Sequence, residues 1–477
     1  MNNLNAKTSS IVRIESIEIR NFKNVSYGYL NLNVHSKNCQ ANILGLYGQN
    51  GSGKTALIDA VELLRIILTG QCIPDYFADY INIESDFANI KYKFKITNLE
   101  EKCTYSVVYE VSIKKEKDNE DRNVESLENT VHYKATLFDE VLSYSYEQNK
   151  TKVKFCPVID TRTGEEIAFL PKSKFYEIVG TDKDAITNLM VVKRLASVTS
   201  RSFIFSKELL NKTRQNCKNT CHILLIESLV FYGNFRLFVI NTQNTGLISM
   251  NTLPLLFNYT ESGKIATGNL FIELDKPSLI PENALTITTK IIGSMNIVLE
   301  QLIPGLTIGM KNLGSQLNQN GSLEYRIQLV SNKNSKEIPL QYESEGIKKI
   351  ISILQLLIVM YNNTSITVAI DELDSGIFEY LLGELLHILS QNGKGQLIFT
   401  SHNLRPLETI DKRFIAFTTI NPENRYIRMS SVKNSNNLRD LYYRNIIIGG
   451  QSEFLYESTN NSEIALAFKE AGMPNAN

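Results

Sequence analysis

The sequence predicts an α/β protein split in two lobes that converge into a single pocket, with an antiparallel β subsheet and a mainly helical insertion between them. Three observations predict it. Apolar Ile43, Leu44 and Leu46 lead into a glycine-rich stretch, after which Leu57, Ile58, Val61, Leu64 and Leu68 recur at helical spacing up to Gly70. Far downstream, the apolar run Ile366-Thr367-Val368-Ala369-Ile370 ends in Asp371-Glu372, as a strand buried on both faces delivers charge to the carboxyl edge of a sheet. Between them, residues 87–97 and 105–113 alternate with period two, and residues 173–216 turn to helical periodicity.

The first lobe is organised on the glycine-rich stretch Gly48-Gln49-Asn50-Gly51-Ser52-Gly53-Lys54-Thr55, a full match to the phosphate-loop pattern G-x-x-x-x-G-K-[ST]. Glycines let the backbone wrap closely around phosphate oxygens, and N–H groups at a helix start point at them. Lys54 adds a point charge near the outer phosphates, and Thr55 a hydroxyl ligand for Mg²⁺. Upstream, residues 11–32 alternate apolar and polar like edge strands of an antiparallel sheet.

Beyond Gly70, residues 131–146 continue the antiparallel series after a charged, solvated stretch at 114–128, read as a hairpin tip. The helical region 173–216 carries Lys193, Arg194, Arg201, Lys207, Lys212 and Arg214, which makes it a candidate DNA-facing surface or a solvated one. Residues 223–240 read as a buried strand pair or a short helix, and 281–302 as a helix followed by Pro304-Gly305. Strands at 306–313 and 323–330 follow, then an apolar helix at 350–360. No heptads persist and no internal repeat appears.

In the second lobe Asp371 is placed to hold Mg²⁺, and Glu372 to orient or deprotonate an attacking water. A helix at 376–390, the turn Gly393-Lys394-Gly395 and a strand at 396–401 form one βαβ crossover. That crossover sets His402 beside Asp371 and Glu372, as a sensor of the terminal phosphate. The chain thus divides into lobe I (1–70), antiparallel strands completing it (71–155), the insertion (156–305), lobe II (306–425) and a C-terminal cap or docking tail (426–477).

Composition bounds the rest. At 477 residues, with 43% hydrophobic and 21% charged residues, the chain is an ordinary soluble globular protein. A formal net charge of zero gives no global attraction to nucleic acid or anionic membrane. The N-terminus has no apolar signal region, and the most lipid-like run, 350–360, is about half the ~20 residues a membrane helix needs. Cys217, Cys221 and His222 lack the second ligand pair of a zinc site, and the six scattered cysteines fit a reducing cytoplasm.

Two further motifs carry a resemblance. Ser344-Glu345-Gly346 before a long helix, followed by Asp371-Glu372-Leu373-Asp374-Ser375-Gly376 and His402, resembles the signature, Walker B, D-loop and switch histidine of ABC-type ATPase heads. Ile17-Glu18-Ile19-Arg20-Asn21-Phe22-Lys23 resembles the opening of the SMC, RecF and OLD group within that class. The likeness covers residues 11–70 and 341–420. It implies an ABC-type P-loop ATPase head that binds ATP and Mg²⁺ and hydrolyses ATP to ADP and phosphate. It also implies a homodimer or higher homo-oligomer, in which Ser344 and Gly346 of one copy close over the nucleotide on Gly48–Thr55 of the other.

The signature departs from the longer S-G-G-Q type, and no Q-loop glutamine is evident after the first lobe. Short S-x-G signatures resemble the compact ATPases of bacterial antiphage and abortive-infection systems. That likeness implies an ATP-dependent switch that regulates or scaffolds a separate effector, a nuclease or toxin. OLD nucleases carry a TOPRIM domain, for which the 75 residues after His402 are too few. The alternative is a DNA-repair or replication ATPase of RecF or SMC type acting directly on DNA. An ABC transporter subunit fits poorly with the large insertion, and a non-hydrolysing binding module with the full set Lys54, Thr55, Asp371 and Glu372.

Overall fold

The computed structural model describes residues 10–33, 42–100, 103–117, 132–148, 151–163, 167–261, 264–318, 320–334, 336–429, 437–448, 453–457 and 459–472. The N-terminal segment read for a signal, Cys39 and most of the charged tip at 114–128 lie outside the described residues.

In chain order the first lobe begins with β1 (Ser10–Phe22), β2 (Val25–Asn31), β3 (Asn42–Tyr47) and α1 (Lys54–Leu68). Four long strands follow: β4 (Phe87–Asn98), β5 (Cys103–Lys117), β6 (Tyr133–Gln148) and β7 (Thr151–Asp160). Then come α2 (Lys172–Val179), α3 (Lys183–Val198), α4 (Lys207–Asn216), α5 (Thr220–Phe235), β8 (Leu237–Ile240) and α6 (Thr242–Ser249). A ribbon, β9 (Thr252–Glu261) and β10 (Lys264–Glu273), precedes β11 (Ser278–Pro281) and α7 (Glu282–Leu302). The second lobe holds β12 (Leu306–Leu317), β13 (Leu323–Lys333), β14 (Lys336–Pro339), α8 (Glu345–Asn362), β15 (Thr367–Ile370) and α9 (Glu379–Asn392). It ends in β16 (Gln396–Thr400), α10 (Pro406–Thr409), β17 (Ile415–Thr418), β18 (Tyr426–Ile427), α11 (Leu438–Ile448) and α12 (Asn461–Ala471).

Two six-stranded sheets position everything else. The antiparallel one runs β2-β1-β4-β5-β6-β7, and the second runs β18-β17-β3-β16-β15-β8. All neighbours in the second are parallel except β17 and β18. Its central strands are apolar on both faces, because side chains alternate and each face meets its own core. Leu44, Leu46, Ala369 and Ile398 join the core that includes α1 and the antiparallel sheet. Ile43, Tyr47, Val368, Ile370, Leu397 and Phe399 join the core built with α7, α8 and α9. Gln396 stitches the two sheets: its Nε2 donates to Ile14 O at 2.8 Å, and its Oε1 accepts from Ile14 N at 3.2 Å.

The stretch 223–240 is neither a strand pair nor a lone helix. It forms all but the first turn of α5, as the helix reading expected, and then the four-residue strand β8. β8 pairs in parallel with β15, so the region expected as a mainly helical insertion also supplies an edge of the central sheet. The helix expected from 376 starts at Glu379, because residues 371–377 close into turns in which Ser375 N bonds Glu372 O and Ile377 N bonds Asp374 O. His222 is a packed side chain: its Nδ1 lies 2.9 Å from the Tyr144 hydroxyl in the buried interior. Among the described residues no helix is long and apolar enough to cross a membrane.

Candidate functional site

Gly48 to Gly53 form the turn between β3 and α1, which opens on Lys54 and Thr55; Gly51 at φ 74° and Gly53 at φ 90° have backbone that favours glycine. Lys54 is buried and folds back on this loop, its Nζ donating to Gly48 O at 2.9 Å and Gln49 O at 2.8 Å. Burial pulls its pKa below the usual lysine value, against the opposing pull of Asp371, Asp374 and Glu372. Ser52 Oγ donates to Gln49 O at 2.5 Å and pairs with Thr418 Oγ1 at the same distance. Asn50 and Gly51 are exposed at the tip, and Thr55 is half-buried at the start of α1.

The loop is clamped from both sides. Asn24, in the β1–β2 turn, donates through Nδ2 to Gly51 O. Arg425 NH2 reaches Asn24 O at 2.5 Å, and the Tyr426 hydroxyl donates to Gly53 O at 2.9 Å. Lys23, the last residue of the Ile17–Lys23 motif, ion-pairs with Asp59 on α1. Burial still pushes the Asp59 carboxyl up to about 6, with Lys23 opposing. Gly48 lies against Thr418 so closely that a Cβ there would fall 1.7 Å from Thr418 Oγ1. From the C-terminal region, Glu457 N donates to Gln49 Oε1 at 2.9 Å.

β16 lies between β3 and β15, so the phosphate-loop strand and the carboxylate strand open onto one edge. Asp371 is 1% exposed and both of its carboxylate oxygens are held: Oδ1 by the Thr400 hydroxyl at 2.5 Å, Oδ2 by the Thr242 hydroxyl at 2.7 Å. Glu372 has φ 47°, left-handed backbone for a non-glycine residue, and its N–H donates to Thr400 Oγ1 at 2.8 Å. Asp374 Oδ2 accepts from His402 N at 3.0 Å and Asn403 N at 2.9 Å, while its Oδ1 is buried without a hydrogen-bond partner. The exposed His402 has its pKa lowered by desolvation and by Lys54. Lys349, buried on α8, is pulled down to about 8 by desolvation, with Asp371, Glu372 and Asp374 opposing.

Ser344 caps α8, its Oγ accepting from Ile347 N at 3.3 Å. Gly346 packs on the turn at Gly376, where a Cβ would fall 2.0 Å from Gly376 O. Among the described residues no hydrogen bond joins Ser344 or Gly346 to Gly48–Thr55 of the same chain. The structure brings Lys54, Asp371, Glu372 and His402 together within one chain, while the signature turn packs on the turn at Gly376.

Sequence reasoning missed Thr242, Thr400, Thr418, Arg425 and Tyr426 as parts of this site, and placed Asp374 only through its resemblance to a D-loop. β8, beside the Asp371 strand, runs directly into Asn241-Thr242-Gln243 at the start of α6. Thr242 touches Asp371, and Asn241 Nδ2 donates to Glu62 Oε2 on α1 at 2.9 Å. The signal was a four-residue apolar run, Leu237 to Ile240, followed by polar residues.

Residues 16–220 match the AAA domain family, a span that includes the phosphate loop. No curated protein matches the chain in sequence. Among solved structures, the SMC head domain from Thermotoga maritima aligns at 14% identity and TM-score 0.35, covering 88% of this chain and 99% of that one. The Smc head from Pyrococcus furiosus, with an extended coiled coil and bound to the C-terminal domain of ScpA, aligns at 13% and 0.38, covering 88% and 97%. RecF in its ATPrS-bound form aligns at 12% and 0.35, covering 87% and 98%. The strand order defines an α/β fold in which a phosphate-loop strand and a carboxylate strand open onto one edge of a mainly parallel sheet.

Proposed function

We propose that this chain is a Mg²⁺-dependent ATPase whose ATP-bound copies pair and whose paired state regulates a separate effector in bacterial antiphage defence. The observation that carries the reading is the meeting of Lys54 with Asp371 and Glu372 at one sheet edge, from opposite ends of the chain. The loop suits a triphosphate: it is open at Gly51, where a Cβ would meet nothing within 4 Å, and it carries a buried lysine. Thr55 and Asp371 offer the hard oxygen donors that suit Mg²⁺, which would neutralise phosphate charge there.

In this reading Lys54 exchanges its loop carbonyls for phosphate oxygens. Glu372 takes a proton from the attacking water. His402, held toward its neutral form by burial and by Lys54, offers a ring N–H to the terminal phosphate. Ser344 and Gly346 at the start of α8 close over the nucleotide of a second copy, with the helix N-terminus toward its charge. The short signature supports the effector reading, as does the compact shape: the longest helix among the described residues, α7, has 21 residues.

The test is nucleotide occupancy and mass. Glu372→Gln should retain ATP and form a larger species than the nucleotide-free protein, whereas Lys54→Ala should bind none. If neither change alters occupancy or assembly, the ATPase-switch reading fails. Hydrolysis stimulated by duplex DNA and suppressed by salt would replace the effector reading with the DNA-repair one.

A further inference from the structure

Among the described residues, two apolar faces have nothing packed on them. The first is on α12, an 11-residue helix none of whose residues is buried. Its Ile464, Ala467, Phe468 and Ala471 follow the i, i+3, i+4, i+7 spacing of one stripe, with Phe468 78% exposed. A helix shorter than about 12 residues is marginal in water on propensity alone, so this one needs a surface to lie on. The second face is on α3, where Val191, Leu195 and Val198 are 51%, 56% and 56% exposed. Together with Arg194 they repeat the same spacing, VxxRLxxV. Beside this ridge a groove of about 500 Å³ runs between α3 and α4, lined by Val191, Val192, Glu208, Asn211 and Lys212 among others.

The charges of the two faces match. Glu463 and Glu470, seven residues apart, run down one flank of the α12 stripe, and Lys469 lies on the other. The α3–α4 face presents Arg194 and Lys212, with Glu208 in the groove.

The chain does not lay its own α12 on this face: every residue of α12 is exposed. Glu457 is tied to Gln49 at the phosphate-loop end of α1. Leu195 shares a cavity with Thr69 and Gly70, at the other end of that 15-residue helix. The length of α1 is about 22 Å at 1.5 Å per residue. The four residue steps from Glu457 to Asn461 reach at most about 14 Å, and the turn to Ile464 adds about 5 Å. The contact between Glu457 and Gln49 thus holds the start of α12 toward the phosphate-loop end of α1.

We propose that the α3–α4 groove receives α12 from a second copy of this chain. Reciprocal exchange of the two helices gives a closed twofold dimer that needs no nucleotide. It is separate from the ATP-dependent pairing above, and neither depends on the other.

The experiment is light scattering on the full-length protein without nucleotide or Mg²⁺, over about a hundredfold range of concentration. The mass should approach twice the 54.0 kDa of one chain. Leu195→Asp on α3 and Phe468→Asp on α12, both at exposed positions, should each restore the monomer with an unchanged circular-dichroism spectrum. Arg194→Glu should weaken dimerisation at least about tenfold, and adding Glu463→Arg and Glu470→Arg in the same chain should recover it. A monomer at every concentration overturns the proposal. So does a dimer indifferent to either aspartate substitution.

Discussion

Thr400 and Asp371 share a 2.5 Å hydrogen bond between adjacent parallel strands, and the same Thr400 oxygen accepts the N–H of Glu372. One hydroxyl therefore fixes both the carboxylate assigned to the metal and the backbone that carries the carboxylate assigned to the water. Its single proton is committed to Asp371, which leaves the oxygen free to accept from Glu372.

Thr400→Val should separate binding from turnover. The change keeps the shape but leaves Asp371 Oδ1 and Glu372 N without their partner, at a cost of about 1–3 kcal/mol for buried groups. ATP affinity, set mainly by the loop around Lys54, should change little, while ATP turnover should drop by about 10–100-fold. Thr400→Ser restores the hydroxyl and should restore most of the rate. Steady-state hydrolysis beside equilibrium binding of a fluorescent ATP analogue decides it, and equal loss of both would contradict this role.

Glu372 sits in left-handed backbone at φ 47°, a conformation that costs a non-glycine residue of order 1 kcal/mol. Glu372→Gly should remove that cost and raise the melting temperature slightly, while hydrolysis falls to background. Glu372→Ala should also abolish hydrolysis but gain no stability. Calorimetry on the three proteins checks it. A glycine variant less stable than the alanine one would mean that the side chain, not the backbone, governs stability here.

What could be read in advance was local. The loop from Gly48 to Thr55 announces itself because all its parts lie within eight consecutive residues. Asp371, Glu372 and His402 were legible because one short crossover fixes which sheet edge they share. β8 was not, because its partner β15 is over a hundred residues away and four apolar residues behind a helix carry no period of their own. Thr400 and Thr418 end strands and Thr242 opens a helix, all ordinary in sequence, and only the strand order gives their hydroxyls a partner. The same holds for Arg425 and Asn24, which meet across 401 residues.

Gly346→Ala and Gly51→Ala should fail in different ways. A methyl at Gly346 meets the backbone oxygen of Gly376 at 2.0 Å, so the start of α8 or the Gly376 turn must move. Overpacking of that kind costs about 1–3 kcal/mol, and urea unfolding should show it. Gly51 has open space around it and only its φ of 74° to lose, about 1 kcal/mol, so the fold should tolerate alanine there. Its effect should fall on nucleotide affinity instead. A Gly346→Ala protein as stable as the unmodified chain would refute the close packing of signature turn on D-loop.

Lys349 gives the site a pH signature. Desolvation on α8 lowers its pKa to about 8, while in the unfolded chain it returns to the ordinary value of 10.5. Between those two values the unfolded state binds more protons than the folded one, so stability rises with pH through that window. Below about pH 8 the lysine is charged in both states and carries its full cost, of order 3 kcal/mol net of the opposing pull of Asp371, Glu372 and Asp374. Other groups titrate in the same range, so the measurement is the difference between the unmodified protein and Lys349→Met. Across pH 8 to 10.5 the unmodified protein should gain stability relative to the variant, and below pH 8 the difference should be flat. A difference with the opposite slope would mean that the three carboxylates outweigh burial, and that Lys349 is held as a charged member of the site.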